Sequence, residues 1–480
     1  MKLPIKVYNS LSLKGKSNSK FKFKIKDKIV TAFGLVTGSI NKGHERSIKV
    51  KKNILASFAI KGCSILISFF LVPLTINYVN PTRYGIWIAL SSIIGWFSFF
   101  DIGFGNGLRN KFAESIAKGE HEIARIYVST TYAILSILVI TAILVFICIN
   151  PFLDWTKILN TPSGMARELS ILALIVFVFF CLQFVLQLIT TVMTANLEPA
   201  NASFFNLLGS VFSLLFIVIL TKTTSGNLLY LALCLGFTPV LVLTASSFWF
   251  YRHEYKVYAP AIKYVKMKYA RNLLGLGIKF FIIQVAVLIL FETDNIIITQ
   301  LFGPQEVTTF NVAYKLFSVT IMIFLIIVTP LWSAFTDAYT AGDSNWIKNT
   351  LSKMKKLWFL LIILTLLILF TSPYIFKLWI GNAITVPFSL SIALTLYVIA
   401  FMWHTMQVYF LNGIGKIRLQ LIIVVISGII NIPIAIFLGR KIGLAGVTLA
   451  NTVLIGIMAI VYTIQTHKII NNRATGIWNK

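Results

Sequence analysis

Twelve apolar runs, each long enough to cross a bilayer, leave this chain few folds to choose from. A crossing takes about 20 mostly apolar residues in a helix. Such runs occupy 54–79, 84–107, 126–150, 168–193, 204–221, 227–250, 273–298, 308–333, 356–379, 385–411, 418–438 and 443–466. In hydrocarbon the backbone must satisfy its own hydrogen bonds, which runs of this length do as helices. The sequence therefore predicts an all-α integral membrane protein with about 12 transmembrane helices. With 57% hydrophobic and only 12% charged residues, a water-soluble fold would lack the polar surface to cover itself.

The formal charge of +28 would suggest nucleic acid in a soluble protein, but its placement excludes that reading. Fourteen of the 43 Lys and Arg precede Asn53, and most of the rest lie in alternate connections between apolar runs. With the N-terminus inside, 33 fall in cytoplasmic segments, three within helices and seven outside: Arg83, Lys157, Arg167, Lys222, Lys377, Arg440 and Lys441. Basic connections stay in the cytoplasm, so both termini are expected there. The first 53 residues do not read as a signal peptide, because the first long apolar run starts only at Ile54. In this extension Lys20, Lys22, Lys24, Lys26 and Lys28 alternate with Phe21, Phe23 and Ile25. It reads either as a disordered basic tail or as a surface anchor on anionic lipids.

The basic segment 251–272 divides the runs six and six, and a repeat matches the division. "NYVNPTRYG" and "QLFGPQEV" align Pro81 with Pro304, while "FAESIAKGE" and "FTDAYTAGD" align Gly119 with Gly342, both at a spacing of 223 residues. Six helices per copy give both copies the same orientation, so two parallel six-helix lobes around a central cavity are expected, a transporter layout. The expected domains are 1–53, a basic extension; 54–250, the first lobe; 251–272, a linker; 273–466, the second lobe; and 467–480, a tail.

Charges inside apolar runs stand out because each costs roughly 2.5–3.5 kcal/mol at helix centre. Lys61 and Asp101 lie at similar depth near the inner ends of the first two runs and can pair. Glu292 and Asp294 lie near the outer end of the seventh run, two residues apart and so on different faces. Lys315, about seven residues into the eighth, can satisfy one of them. Lys279 is left without a mate, and either snorkels to cytoplasmic headgroups or awaits an anionic cargo. For each pair a structural bridge stands beside the functional role. Gly103, Gly105 and Gly107, with Asn106 and Asn110, interrupt the second run, and Pro73, Pro330 and Pro433 introduce bends. Trp87, Trp96, Trp332, Trp379 and Trp403 line a sugar path or form an interfacial belt. Cys63, Cys148, Cys181 and Cys234 show no metal spacing and read as small buried hydrophobes; no metal site is expected.

Three segments carry a family resemblance: "PLTINYVNPTRYGIWIALSSIIGWFSFFDIGFGNGLRNKFAESIAKGE" at 73–120, "DNIIITQLFGPQEVTTFNVAYKLFS" at 294–318 and "TPLWSAFTDAYTAGDSNWIKNTLSKMKK" at 329–356. Across about residues 51–470 the chain resembles the Wzx-type lipid-linked oligosaccharide flippases, or polysaccharide biosynthesis proteins. These belong to the multidrug/oligosaccharidyl-lipid/polysaccharide exporter superfamily. The resemblance implies a twelve-helix, two-lobe protein that moves undecaprenyl-pyrophosphate-linked repeat units to the outer leaflet for O-antigen, capsule or exopolysaccharide synthesis. It further implies a cationic cavity lined by Lys61, Lys279 and Lys315, with Asp294 as a coupling or structural acid. Asp101 and Glu292 remain further candidates for such a role. Other implications are a location in a bacterial inner membrane and coupling to H+ or Na+ without a bound cofactor; contact with polysaccharide polymerase machinery is compatible with this reading. The long basic start departs from the family's usual short one. A multidrug or small-cation antiporter of the same superfamily is the nearest alternative. A glycosyltransferase or polymerase would need converging titratable groups on a sizeable loop. The longest outside connection, 151–167 and its edge, offers only Asp154, Lys157, Arg167 and Glu168. No catalytic set emerges, and the protein is not expected to be an enzyme.

Overall fold

The computed structural model describes residues 45–97, 103–196, 198–273 and 293–479. Residues 1–57 and 58–480 form two compact units; of the first, the described part is the start of helix α1, Glu45–Val79. In the second unit, α2 (Pro81–Gly95), α3 (Phe104–Ala117) and α4 (His121–Ile149) are followed by a short turn of helix, α5 (Trp155–Ile158). Then come α6 (Ala166–Leu186), α7 (Leu188–Ala195), α8 (Pro199–Thr223) and α9 (Leu228–Arg252). Beyond the linker stand α10 (293–302), α11 (Pro304–Val328), α12 (Leu331–Thr340), α13 (Ser344–Ile380), α14 (Phe388–Gly413), α15 (Arg418–Ile442) and α16 (Leu444–Ile470).

Ten helical stretches among the described residues are long and apolar enough to span a membrane. The other two expected spans account for the difference from twelve. The seventh, 273–298, lies mostly outside the described residues, and the second is broken. There α2 ends at Gly95, and α3 restarts after Gly103, whose φ of 84° is left-handed. The eighth span runs from Pro304 to Val328 rather than over 308–333, because proline is accommodated at a helix start and Pro330 ends the helix. Cys63 and Cys148 are exposed rather than buried, as befits spans whose outward faces meet hydrocarbon instead of water.

The repeat is visible in the backbone. Pro81 and Pro304 both begin helices, preceded by Asn80 at φ 77° and Gly303 at φ 90°. Gly119 and Gly342 have φ of 75° and 72° and hand the chain to helices starting at His121 and Ser344, again 223 residues apart. Two hydrophobic cores correspond to the two copies. One is built mainly from 78–273; the other from 297–469, joined by Val72 and Ile76 of α1.

One buried polar hub holds the connection between α4 and α6. Asn150 accepts from Trp155 Nε1 at 2.7 Å and donates to Ser170 O and Oγ at 3.1 and 3.0 Å. Asn150→Ala strands these groups and is expected to cost about 2 kcal/mol, read as a lower melting temperature in detergent micelles.

Candidate functional site

The N-terminal turns of α2 and α11 touch at a pseudo-two-fold contact. A Cβ at Gly85 would lie 1.7 Å from the Pro304 carbonyl oxygen, while Thr308 Oγ1 donates to the Pro81 carbonyl oxygen at 2.6 Å. Residues 85 and 308 are related by the same offset as 81 and 304, so each copy presents the same two positions to the other. This is how an isologous interface is built. Only a residue without a side chain admits this backbone approach.

Around the contact, α5 clamps the end of α10. Gln300 Nε2 donates to Lys157 O and Ile158 O at 3.0 and 2.7 Å, and Asn160 Nδ2 donates to Thr299 O at 3.1 Å. Asp154 caps α5, and its carboxyl is held at about 2, first by the Thr156 hydroxyl and then by Lys157. A lowered value stabilises the folded form above the ordinary 3.8 and loses that contribution as pH falls toward about 2. The cap therefore does not respond to physiological pH. Trp379 Nε1 also donates to Phe69 O at 2.8 Å. Among the described residues, the hydrogen bonds between the two halves all lie in the half of the molecule nearer the Pro81–Pro304 end. The opposite end carries most of the basic connections.

Two to three turns inside this contact the halves separate around a cavity of about 510 Å³. Its walls obey the repeat. Trp87 and Phe310, Ile88 and Asn311, and Ser91 and Tyr314 all line it, each pair 223 residues apart. The α10, α14 and α16 helices add Asp294, Asn295, Tyr397, Thr448 and Asn451. Two amide chains order these side chains. Asn311 donates to Asn295 at 2.7 Å, and Asn295 donates across the halves to Ser92 at 2.8 Å. Deeper in the second lobe, fully buried Asn431 donates to Asn451, which donates in turn to Asp294 Oδ2. Asp294 is 5% exposed, so two amides in series end on a carboxylate at the cavity wall. The wall thus combines aromatic faces with paired donors and acceptors and one acid.

Of the charged residues singled out by sequence, Asp294 lines the cavity. Lys315 is half-buried on α11 but outside the lining, at the position equivalent to Ser92. Lys315 and Asp294 do not form an ion pair; Asp294 takes its bond from Asn451 instead. Lys61 is exposed on α1 and also stands apart from the cavity. Lys279, Asp101 and Glu292, with the expected Lys61–Asp101 pair, lie outside the described residues. Of the five tryptophans, Trp87 lines the cavity, whereas Trp379 and Trp403 bond to Phe69 O and Thr463.

Comparison with known proteins gives two family matches: polysaccharide biosynthesis protein over residues 50–336 and MatE over 280–437. A Yersinia pseudotuberculosis protein named for O-antigen export is 21% identical over 366 residues, covering 74% of this chain and 81% of the relative. A Salmonella typhi protein named for O-antigen transport is 22% identical over 58% of this chain and 62% of its own length. Among solved structures, a multidrug resistance MATE transporter in an inward-facing conformation superposes with a TM-score of 0.72 at 15% identity, covering 88% of this chain and 98% of the other. An outward-facing structure of such a transporter gives 0.64 at 17%, covering 88% and 96%. A superfamily transporter from Pyrococcus furiosus, described by a binding pocket of reversed polarity, gives 0.60 at 16%, covering 91% and 98%. At these identities the superpositions establish a shared fold.

Proposed function

The chain belongs to the polysaccharide biosynthesis protein family, and from that membership and the cavity we propose that it flips an undecaprenyl-pyrophosphate-linked oligosaccharide to the outer leaflet. The observation that carries the reading is a cavity of aromatic faces and ordered amides between two repeat-related lobes. Pyranose rings offer C–H faces that stack on Trp87, Tyr314 and Tyr397, and hydroxyls that pair with Asn295, Asn311 and Ser91. The polyprenyl tail stays in lipid, while the lobes spare the head the cost of crossing hydrocarbon. No covalent bond need be made or broken, so the protein acts as a transporter rather than an enzyme.

In a bacterial inner membrane, the basic connections support a cytoplasmic lysine-rich end, which leaves the Pro81–Pro304 contact on the outside. The contact then closes the outer end, with cargo admitted from within. At 1.5 Å per residue, Lys315 lies about 16 Å and Lys61 about 27 Å inward of the contact. With Lys279, they are assigned to the pyrophosphate below the sugars. Asp294, fed by the Asn431–Asn451 chain, is assigned to coupling with H+ or Na+.

A second reading is favoured by one feature. The described lining has a carboxylate, four aromatic side chains and no lysine or arginine, a chemistry suited to an organic cation and hence to a drug antiporter. Proteoliposomes carrying a fluorescent undecaprenyl-pyrophosphate oligosaccharide, with chemical quenching of the exposed leaflet, separate the two. Protein-dependent redistribution is expected. Redistribution equal to that of empty vesicles, with gradient-driven uptake of a cationic dye, would overturn the flippase reading in favour of the antiporter.

A further inference from the structure

The linker after α9 is fastened along the first three turns of α4. His121 Nδ1 pairs with Tyr258 OH at 2.7 Å, and Arg125 donates to Ala259 O at 2.9 Å and lies 4.2 Å from the Tyr264 ring. Ser129 Oγ accepts from Ala261 N and Thr130 Oγ1 from Lys266 N, at 3.2 and 3.1 Å, while Tyr127 meets Tyr269 edge to face. Buried Tyr255 donates to Glu198 at 2.9 Å. The tyrosines thus turn inward. A helix of 29 residues is about 43 Å long, against a hydrocarbon core of about 30 Å. Its first turns therefore stand in the headgroup layer, and the linker stands beside them.

The outward side of the linker is amphipathic. Val257, Ile262 and Met267 are 57%, 93% and 61% exposed, and each is flanked by an exposed lysine: Lys256, Lys263, and the pair Lys266 and Lys268. Arg271 adds a cation, and Glu254 is the one acid between Arg252 and Leu273. At the same level exposed Phe248 and Trp249 close α9, with the Arg252 guanidinium 3.7 Å from the Phe248 ring. Aliphatic side chains held outward at headgroup depth between lysines fit the boundary of an anionic lipid layer, where the chains enter hydrocarbon and the ammonium groups meet phosphates.

We propose that residues 253–271 form an interfacial anchor that binds anionic phospholipid and, through its bonds to α4, fixes the first lobe to the membrane surface. This goes beyond the transport reading and does not depend on it. Full-length protein carrying Ile262→Cys, with the four native cysteines replaced, is labelled with an environment-sensitive fluorophore. It is then reconstituted in phosphatidylcholine with or without phosphatidylglycerol. Quenching by spin-labelled lipid, stronger with phosphatidylglycerol present, is expected; quenching mainly by aqueous iodide in both mixtures would overturn the proposal. In parallel, replacing Lys256, Lys263, Lys266 and Lys268 by Gln is expected to lower phosphatidylglycerol retained through purification by at least about tenfold. Unchanged retention in a folded variant would equally overturn it.

Discussion

Gly85→Val is expected to lower transport by about 100-fold. The first atom of any side chain there falls 1.7 Å from the Pro304 carbonyl oxygen, so α2 and α11 must part for valine to fit. Overpacking of this kind costs about 3 kcal/mol, which at about 1.4 kcal/mol per tenfold depletes the closed state about a hundredfold. The lobes themselves are untouched, so membrane expression should persist. Cysteine probes placed beneath the contact should become reactive from outside. The repeat-equivalent change, Thr308→Val, removes one hydrogen bond without inserting bulk into a tight approach. It should cost only about 1 kcal/mol. Equal effects of the two substitutions would show that transport does not depend on this close approach.

Asp294→Asn is expected to cut transport by about 100-fold, equivalent to about 2.7 kcal/mol, and to abolish its response to an imposed proton or sodium gradient. The substitution keeps the shape and leaves an oxygen to accept from Asn451, so packing is preserved while the charge is lost. A bridging role alone would tolerate it. Wild-type transport and gradient response in Asp294→Asn would remove the acid from the coupling scheme and leave it a structural acceptor.

The architecture was largely legible because membrane insertion imposes a length rule and a charge rule that can be read run by run. The spacing between Pro81 and Pro304 marked two positions that the fold places at the same joint in each copy. The break in the second span was legible on its Gly103 side, since glycine permits the left-handed turn found there, but the end of α2 as early as Gly95 was not. The cavity was less so. Intramembrane charge picks out residues by insertion cost, which points to Asp294 but equally to Lys61 and Lys315, which stand apart from the lining. The amides Asn295, Asn311, Asn431 and Asn451 carry no charge, and their role emerges only when four helices bring them into chains. One sequence signal could have found part of the wall. Applying the 223-residue offset to Trp87, Ile88 and Ser91 selects Phe310, Asn311 and Tyr314, which line the same cavity.

Cross-linking the closed end in a working vesicle tests the alternating-access account most directly. Asn160→Cys with Gln300→Cys, in a background lacking the native cysteines, places thiols on the two partners of the α5–α10 clamp, where a short bis-methanethiosulfonate can join them through two reducible disulfides. Leaflet redistribution of the fluorescent lipid-linked oligosaccharide should stop when the link forms and resume on reduction, with each single variant unaffected. Undiminished redistribution in the fully cross-linked protein would contradict the account, because cargo would then cross without this end having to open.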